Sequence, residues 1–556
     1  MMLKFFKKVV FSRSFMTALL IILQILFYVV VGSILAQYSY VIQVSAIILS
    51  ALLAIYILGL KNGNVDVKLP WAILVLVFPV FGSLFYFLFK NQKVRKKVRL
   101  NIESQDYATK KILHSSDELY NSLKLKDKDI YNQSMYIYKT TNMPAYNNSV
   151  TQYFESGESY FDALIEELKK AERFIFMEYF IIRQGTMWNT VFNLLKEKVS
   201  HGVEVRIIYD DFGCINTLPQ KYKKHLEKYG IKCEVFNPIY PITTLAHNNR
   251  DHRKIVVIDG LVAFTGGINL SDEYINKWKR FGHWKDTGIL VKGDSVKSFT
   301  LMFLEAWHIY RDKNEDYLPY LPKIETIKNE YSLKKRKSKK NKKGEKKSKK
   351  KSYFEIAPTN NSRFTYDSNL ENTGEIVQPY MSSPMESDEI VARNVYVNIL
   401  NSAQNYVYIT TPYLILDPEL ENALINAAKR CVDVRIITPR IPDKKYVYAV
   451  TRSEYYNLLK SGIIIYEYVP GFIHAKNVVA DDKIATIGSI NFDNRSFYHS
   501  YENGVFIYNS KTVIEMKEDF LNTQAVSEKI RLDFLDKASI FNKIKTSLFR
   551  LLIPLL

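Results

Sequence analysis

Cysteine is scarce: Cys214, Cys233 and Cys431 are the only three in 556 residues. Odd in number and far apart, they exclude a disulfide framework and a Cys-x-x-Cys metal site, so the chemistry proceeds without a thiolate-held metal. Acidic side chains are also in deficit, 57 against 77 basic, for a net charge of +20. That excess points to anionic partners, either phospholipid head groups or nucleic acid. Wholesale disorder is excluded, because 47% of the residues are apolar. The length implies three to four modules rather than one core.

Charge is absent altogether from three runs, 15–36, 41–60 and 71–89. Each is long enough at ~1.5 Å per residue to cross roughly 30 Å of hydrocarbon. Residues 1–100 therefore read as a membrane anchor with two or three hydrophobic helices, and a cleaved signal peptide is disfavoured by the second run that follows almost at once. Lys4, Lys7, Lys8 and Arg13 precede the first run, and six basic residues between Lys90 and Arg99 follow the third. Both ends ask for the cytoplasmic side. Three full crossings would separate them, so one run is expected not to cross as a simple helix: the third, broken by Pro79 and Gly82, or the first, lying in the interface.

Beyond residue 150 the chain says nearly the same thing twice. AERFIFMEYFII (171–182), GVEVRIIYDD (202–211), YGIKCEVFNP (229–238) and DHRKIVVIDGLVAFTGGIN (251–269) are followed in the same order by AQNYVYITTPYLI (403–415), CVDVRIITPR (431–440), SGIIIYEYVP (461–470) and FIHAKNVVADDKIATIGSIN (472–491). This is an internal duplication. In each copy β-branched and aromatic runs alternate with helical patterns, which predicts two similar α/β domains, 101–325 and 381–556. A spacer, 326–380, separates them. Within it KKRKSKKNKKGEKKSKKK (334–351) carries 13 basic residues and one acid, a composition that cannot bury a core and reads as solvated and disordered. It is also suited to an anionic leaflet; nucleic acid is less favoured, since no aromatic residue interleaves with the lysines.

Both copies carry H-x-K-x4-D-x6-G-[GS]-x-N: His252, Lys254, Asp259, Gly266, Gly267 and Asn269, then His474, Lys476, Asp481, Gly488, Ser489 and Asn491. Two occurrences in one chain are not coincidence. Read as hairpins with two-residue turns at Asp259-Gly260 and Asp481-Asp482, the segments place His252 opposite Gly267 and His474 opposite Ser489. Side-chain alternation then puts His, Lys, the small residue and Asn on one face, with the small residue leaving room for a tetrahedral phosphorus. Lys254, Asn269, Lys476 and Asn491 become candidate phosphate ligands. Asp259 and Asp481, although members of the motif, fall on the other face and read as turn and scaffold residues.

One histidine cannot attack phosphorus from one side and protonate the leaving oxygen on the other. Two opposed histidines can, so one shared site at the interface of the halves is expected, with one His forming a phosphohistidine and the other acting as acid and then base. Each needs a carboxylate to hold its tautomer. Asp286, after His252, and Glu502, after His474, are the candidates. His247, His283 and His499 lack the repeated setting and read as ordinary histidines, while Glu178, Asp210 and Asp211, at the ends of strands, read as helix caps or loop acids rather than as a rim of the pocket.

These residues resemble the phospholipase D superfamily and, within it, the bacterial cardiolipin synthases: the apolar runs with WAILVLVFPVFGSLFYFLFK, HRKIVVIDG with TGGINLSDEY and FGHWKDTG, IHAKNVVADD with IGSINFDNRS, and the terminal LFRLLIPLL. The similarity covers essentially the whole chain apart from the spacer and the first apolar run. It implies two phospholipase D-like α/β domains forming a pseudo-dimer behind N-terminal transmembrane helices, in a bacterial cell membrane, multi-pass, with the catalytic part cytoplasmic. It implies His252, Lys254, Asp259, His474, Lys476 and Asp481 as the catalytic motif residues, with His252 as nucleophile and His474 as acid and base. It further implies transfer of a phosphatidyl group from one phosphatidylglycerol to another, giving cardiolipin and glycerol, with no metal, cofactor or nucleic acid. Hydrolysis, with water as acceptor, would use the same residues. His499, Ser500 and Gly288 depart from the family pattern at the pocket rim, where acceptor choice is made. The tail 541–556 has apolar residues at helical spacing with Lys543, Lys545 and Arg550, suited either to head groups or to packing on the domain.

Overall fold

The computed structural model describes residues 13–33, 36–60, 65–89, 104, 109–238, 249–309, 315–322, 374–384 and 389–535. The lysine-rich block, His247 and the tail 541–556 lie outside the described residues.

Apolar sequence forms helices at the N-terminal end, Arg13–Ser33, Ser39–Gly59, Val65–Val77 and Phe81–Phe89, with charge only at Arg13, Asp66 and Lys68 in their first turns. Among the described residues one helix, Ala36–Gly59, is long and apolar enough to cross a membrane. The third apolar run, expected as a candidate crossing, is two helices with a break at 78–80. Pro79 has no N–H to continue the ladder. Gly82 closes onto the preceding turn, where an added Cβ would come within 2.3 Å of the Leu74 carbonyl oxygen. Ala54 and Ile57 pack against Ala72, Val75 and Tyr86 across the helices.

The first half builds a seven-stranded sheet from β1 (Ser149–Phe154), β2 (Phe174–Tyr179), β3 (Glu204–Asp210), β4 (Lys232–Phe236), β6 (Ile255–Ile258), β7 (Val262–Gly266) and β9 (Gly288–Gly293), in the order β1-β9-β7-β6-β2-β3-β4. The second repeats that order with β10 (Ile376–Ser382), β17 (Ser500–Tyr508), β16 (Ile484–Gly488), β15 (Asn477–Ala480), β11 (Tyr406–Thr410), β12 (Asp433–Pro439) and β13 (Ile464–Tyr468), and adds β18 (Ser527–Lys529) at the edge. Amphipathic helices cover the outer faces. Thr186–Ser200, for example, buries Met187, Trp188, Val191 and Leu195, one stripe at helical spacing. In the second half Pro418–Lys429 starts at an Asp417 cap that accepts from the Leu420 N–H, with proline at the first turn.

Both motif hairpins differ from the expected register. Ile258 pairs with Val262 and Ala480 with Ile484, so the loops hold three residues and every facing pair shifts by one. Asp259, Gly260, Asp481 and Asp482 all have positive φ, between 55° and 73°. A local carboxylate stabilises that conformation. Asp259 accepts from the N–H groups of Glu172, Arg173 and Phe174 at 2.7–2.9 Å, and Asp481 from Gln404, Asn405 and Tyr406 over the same range. Each aspartate thus ties its hairpin to the start of the neighbouring strand, which is why the motif requires it.

The halves share a core. Phe176, Val257 and Ala263 from one and Val479, Ala485 and Val505 from the other belong to a single apolar cluster, which includes the helix Val296–His308, buried at all but one of its residues. Short strands also cross over: β5 (Arg250–Asp251) pairs with β17, and β14 (Gly471–Ile473) with β8 (His283–Lys285), both parallel. The region 101–150 contributes helices Asp117–Lys126 and Lys128–Thr141, whose Leu119, Leu123, Ile130 and Ile137 pack with Val395, Tyr396 and Ile399 of the second half.

Candidate active site

The two strand exchanges deliver the motif histidines. β5 runs directly into His252, whose N–H donates to the Tyr501 carbonyl at 2.9 Å; β14 runs into His474, whose N–H donates to the Lys285 carbonyl at 2.7 Å. The residues following those carbonyls are Glu502 and Asp286. His252 Nδ1 therefore lies 3.0 Å from both Glu502 oxygens, and His474 Nδ1 lies 2.6 Å from Asp286 Oδ2. Each candidate carboxylate thus contacts the motif histidine of the opposite half. Both are fully buried, and with Nδ1 occupied each imidazole presents Nε2 as its free nitrogen.

The small motif residues serve a purpose other than leaving room for phosphorus. A Cβ on Gly267 would lie 2.1 Å from Asp286 Oδ1, so glycine there makes room for the carboxylate. Its counterpart Ser489 donates its hydroxyl to Glu502 Oε2 and accepts from the Asn503 N–H at 3.0 Å. The two halves solve the same packing problem differently.

Lys254 and Lys476 are buried, and each ammonium donates to the carbonyl of its own motif histidine. Burial lowers Lys254 to about 7 and Lys476 to about 8, against the pull of Glu502 and Asp286. Burial, reinforced by Lys254 and Lys476, holds His252 well below the ordinary imidazole value. Burial and then Lys476 bring His474 to about 4. Burial lifts Glu502 to about 7, whereas at Asp286 the facing His474 and Lys476 overcome burial and hold the carboxyl below its usual range. Fields from both lysines reach both histidines, as expected of one site built from two copies.

Asn269 is engaged within the protein: Oδ1 accepts from the Ile181 N–H at 3.0 Å and Nδ2 donates to Tyr274 Oη at 2.7 Å. Asn491 is buried with no side-chain oxygen partner among the described residues. Asp259 and Asp481 occupy the far ends of their hairpins. Asp210 caps the turn after β3 through Phe212 and Gly213, and its other oxygen accepts from the Asp251 N–H, beside His252. His283 makes a 2.9 Å contact with Tyr468 Oη, and the His499 carbonyl accepts from the Arg250 N–H.

Several neighbours were not legible in the motif. Arg253 pairs with Glu178 at 2.8 Å and with Asp251 at 3.0 Å, bracing the His252 loop; Ala475 holds the matching place in the second half. There an aromatic collar does the bracing: Trp284, Tyr274 and Phe472 have ring centroids 5.4–5.9 Å from His474, whereas His252 has Phe180 at 5.1 Å. Arginine next to a motif histidine was the available signal; in the collar Phe472 is two residues from His474, whereas Tyr274 and Trp284 come from the first half. Among the described residues no cluster of three or more metal-ligating side chains occurs.

Comparison with known proteins agrees with this geometry. The family model described as "Cardiolipin synthase, PLD-like domain" matches residues 164–283 and 396–523, and "Phospholipase_D-nuclease N-terminal" matches 48–91. A cardiolipin synthase of Alkalihalophilus pseudofirmus is 30% identical over 90% of this chain and 91% of its own, and cardiolipin synthase 2 of Bacillus anthracis is 31% identical over 91% and 90%. An uncharacterized protein of Streptococcus mutans is 39% identical over 90% and 99%. The solved phosphatidylserine synthase of Haemophilus influenzae superposes with a TM-score of 0.51 at 14% identity, over 76% of this chain and 98% of that one, a likeness of fold. The chain belongs to the cardiolipin synthase family of the phospholipase D superfamily.

Proposed function

We propose that this protein is a phosphatidyltransferase that makes cardiolipin from two molecules of phosphatidylglycerol, releasing glycerol. The observation that carries the reading is the reciprocal pairing of each motif histidine with a buried carboxylate of the other half, which leaves Nε2 of each imidazole for the chemistry of one shared site. His252, neutral and orientated by Glu502, attacks the phosphorus through Nε2; the P–O bond to glycerol breaks and His474 supplies the proton to the leaving oxygen. His474 then takes the proton from a hydroxyl of the second phosphatidylglycerol, whose oxygen displaces His252 and restores it. Lys254 and Lys476 neutralise the nonbridging oxygens, with Asn491 and the Asn269 amide as further ligands.

His474 is neutral in the empty site at pH 7, so it must gain its proton as the anionic lipid enters. The phosphodiester charge favours that uptake, and Asp286 stabilises the imidazolium. Multi-pass anchoring, with the catalytic part on the cytoplasmic face of a bacterial membrane, completes the proposal; the basic clusters at 4–13 and 90–99 support that orientation. The domain boundaries proposed are 1–100, 101–325, a spacer from 326, and a second domain that begins at β10 (Ile376–Ser382) rather than at 381, because that strand pairs with β17 in the second sheet.

The test is incubation of the purified full chain with phosphatidylglycerol vesicles. Cardiolipin and glycerol in equal amounts are expected; phosphatidic acid without cardiolipin would replace transfer by hydrolysis.

A further inference from the structure

Exposed apolar side chains are unevenly distributed over the catalytic part. Among the described residues after 100, thirteen large hydrophobic side chains are exposed, and six of them lie on or next to four loops: Ile215, Trp278, Ile441 and Val469 on the loops, Phe212 in the short helix Asp211–Cys214 and Tyr446 in the first turn of Lys445–Lys460. The other seven are scattered, which is ordinary for a folded surface. Each of the four loops leads to a motif histidine within a few contacts. An added Cβ on Gly213, next to Phe212, would come within 2.0 Å of the Phe180 carbonyl oxygen, and the Phe180 ring packs on His252. The loop holding Trp278 ends at Phe281, which packs on Trp284 beside His474. Lys444, between Ile441 and Tyr446, lies 5.6 Å over Tyr413, whose ring meets Phe472 and through it His474. Val469 precedes Pro470, whose carbonyl accepts from the His283 N–H in the strand that leads to Asp286. The segments that carry these apolar residues, here called the rim, thus lie within a few contacts of the motif histidines.

Two of the four segments are also basic. Residues 277–281 read KWKRF, and 440–446 read RIPDKKY, six basic residues against one acid. Arg183 and Arg280 lie 4.9 and 5.5 Å over Trp278. Cations alternating with exposed Trp, Phe, Tyr and aliphatic side chains suit the head-group layer of an anionic bilayer, where aromatic rings lie at the interface and basic groups meet lipid phosphates. A protein partner would favour an apolar centre depleted of lysine, which this rim is not.

We propose that these four loops are a docking face that seats the mouth of the active site on an anionic leaflet, so that substrate phosphates enter from the membrane side. The proposal rests on the lipid-transfer reading for its purpose, but its geometry can be tested without turnover. Five tryptophans are present; Trp188, Trp284 and Trp307 are buried, Trp71 lies in the apolar helix Val65–Val77, and Trp278 is 40% exposed. The full-length W71F chain is reconstituted into mixed phosphatidylcholine–phosphatidylglycerol vesicles with plain or acyl-brominated lipid. Brominated lipid is expected to quench the emission of W71F severalfold more than that of W71F/W278F. K277E/K279E/R280E in the W71F background should abolish the difference, since three basic residues near an anionic surface change the docked-to-undocked ratio by about a hundredfold.

Equal quenching of W71F and W71F/W278F overturns the proposal, as would happen if a protein partner or a second copy covered the rim. Cardiolipin synthesis without Trp278 quenching sinks the docking face alone; quenching without cardiolipin sinks the reaction reading alone.

Discussion

Gly267 provides a direct test of why the site needs each motif residue. Its φ lies outside the left-handed region, so alanine meets no backbone penalty there. The new methyl would lie 2.1 Å from Asp286 Oδ1 and 2.9 Å from Cγ, and Cβ contacts essentially never fall below 3.0 Å. The Asp286 carboxylate must retreat by about 1 Å, and its 2.6 Å contact with His474 Nδ1 is lost. A displacement of that size at a catalytic group lowers the rate by roughly 100-fold. Loss of a charge-assisted hydrogen bond, worth about 1.5–3 kcal/mol, gives roughly 10- to 150-fold by a separate route. The two agree.

G267A should therefore still fold, with an apparent Tm lowered by a few degrees, and lose kcat for cardiolipin formation by about 100-fold. D286N should fall comparably, and G267A/D286N should be no worse than either alone, because both act on one hydrogen bond. A wild-type rate in G267A, or losses that multiply in the double variant, would refute the reasoning.

H252A and H474A should each lower turnover by about 10⁴-fold or more while the chain remains folded; activity at the parent level in either would dissolve the shared site. D259A and D481A each orphan three backbone N–H groups, and should destabilise the chain by about 3–5 kcal/mol, read as a fall in apparent Tm, with less effect on kcat per folded molecule. Lys254 and Lys476 titrate near about 7 and about 8 in the empty site, and an anion raises both. Affinity for a phosphonate lipid analogue should be full below pH 7 and decline as pH rises through the raised values, with proton uptake at pH 8. Calorimetry in two buffers of different ionisation enthalpy measures it; identical binding enthalpies would exclude the uptake. K254M should reduce the uptake and flatten the pH dependence.

The sequence by itself determined the duplication, the alternation of strands and helices, and the six motif positions in each half. These properties are written in local patterns: side-chain period, turn residues and the recurrence of His, Lys, Asp, Gly and Asn at set intervals. Asp286 and Glu502 were legible as candidates, at 34 and 28 residues after their motif histidines, because each imidazole needs a carboxylate to hold its tautomer. Their reciprocal exchange was not, since β5 on β17 and β14 on β8 pair residues some 190 to 250 positions apart.

The register of the hairpins was also decided by tertiary structure. Asp259 and Asp481 are held at positive φ while their carboxylates gather three N–H groups from a neighbouring strand, and that contact favours a three-residue loop over the two-residue turn that local preferences suggest. The same holds for Gly267, Ser489 and the aromatic collar of His474. What they are for depends on carboxylates and rings that arrive from the other half or from remote loops. Short-range patterns record which residues a strand or turn prefers; only the packed molecule brings together groups separated by hundreds of residues and assigns each buried donor its acceptor.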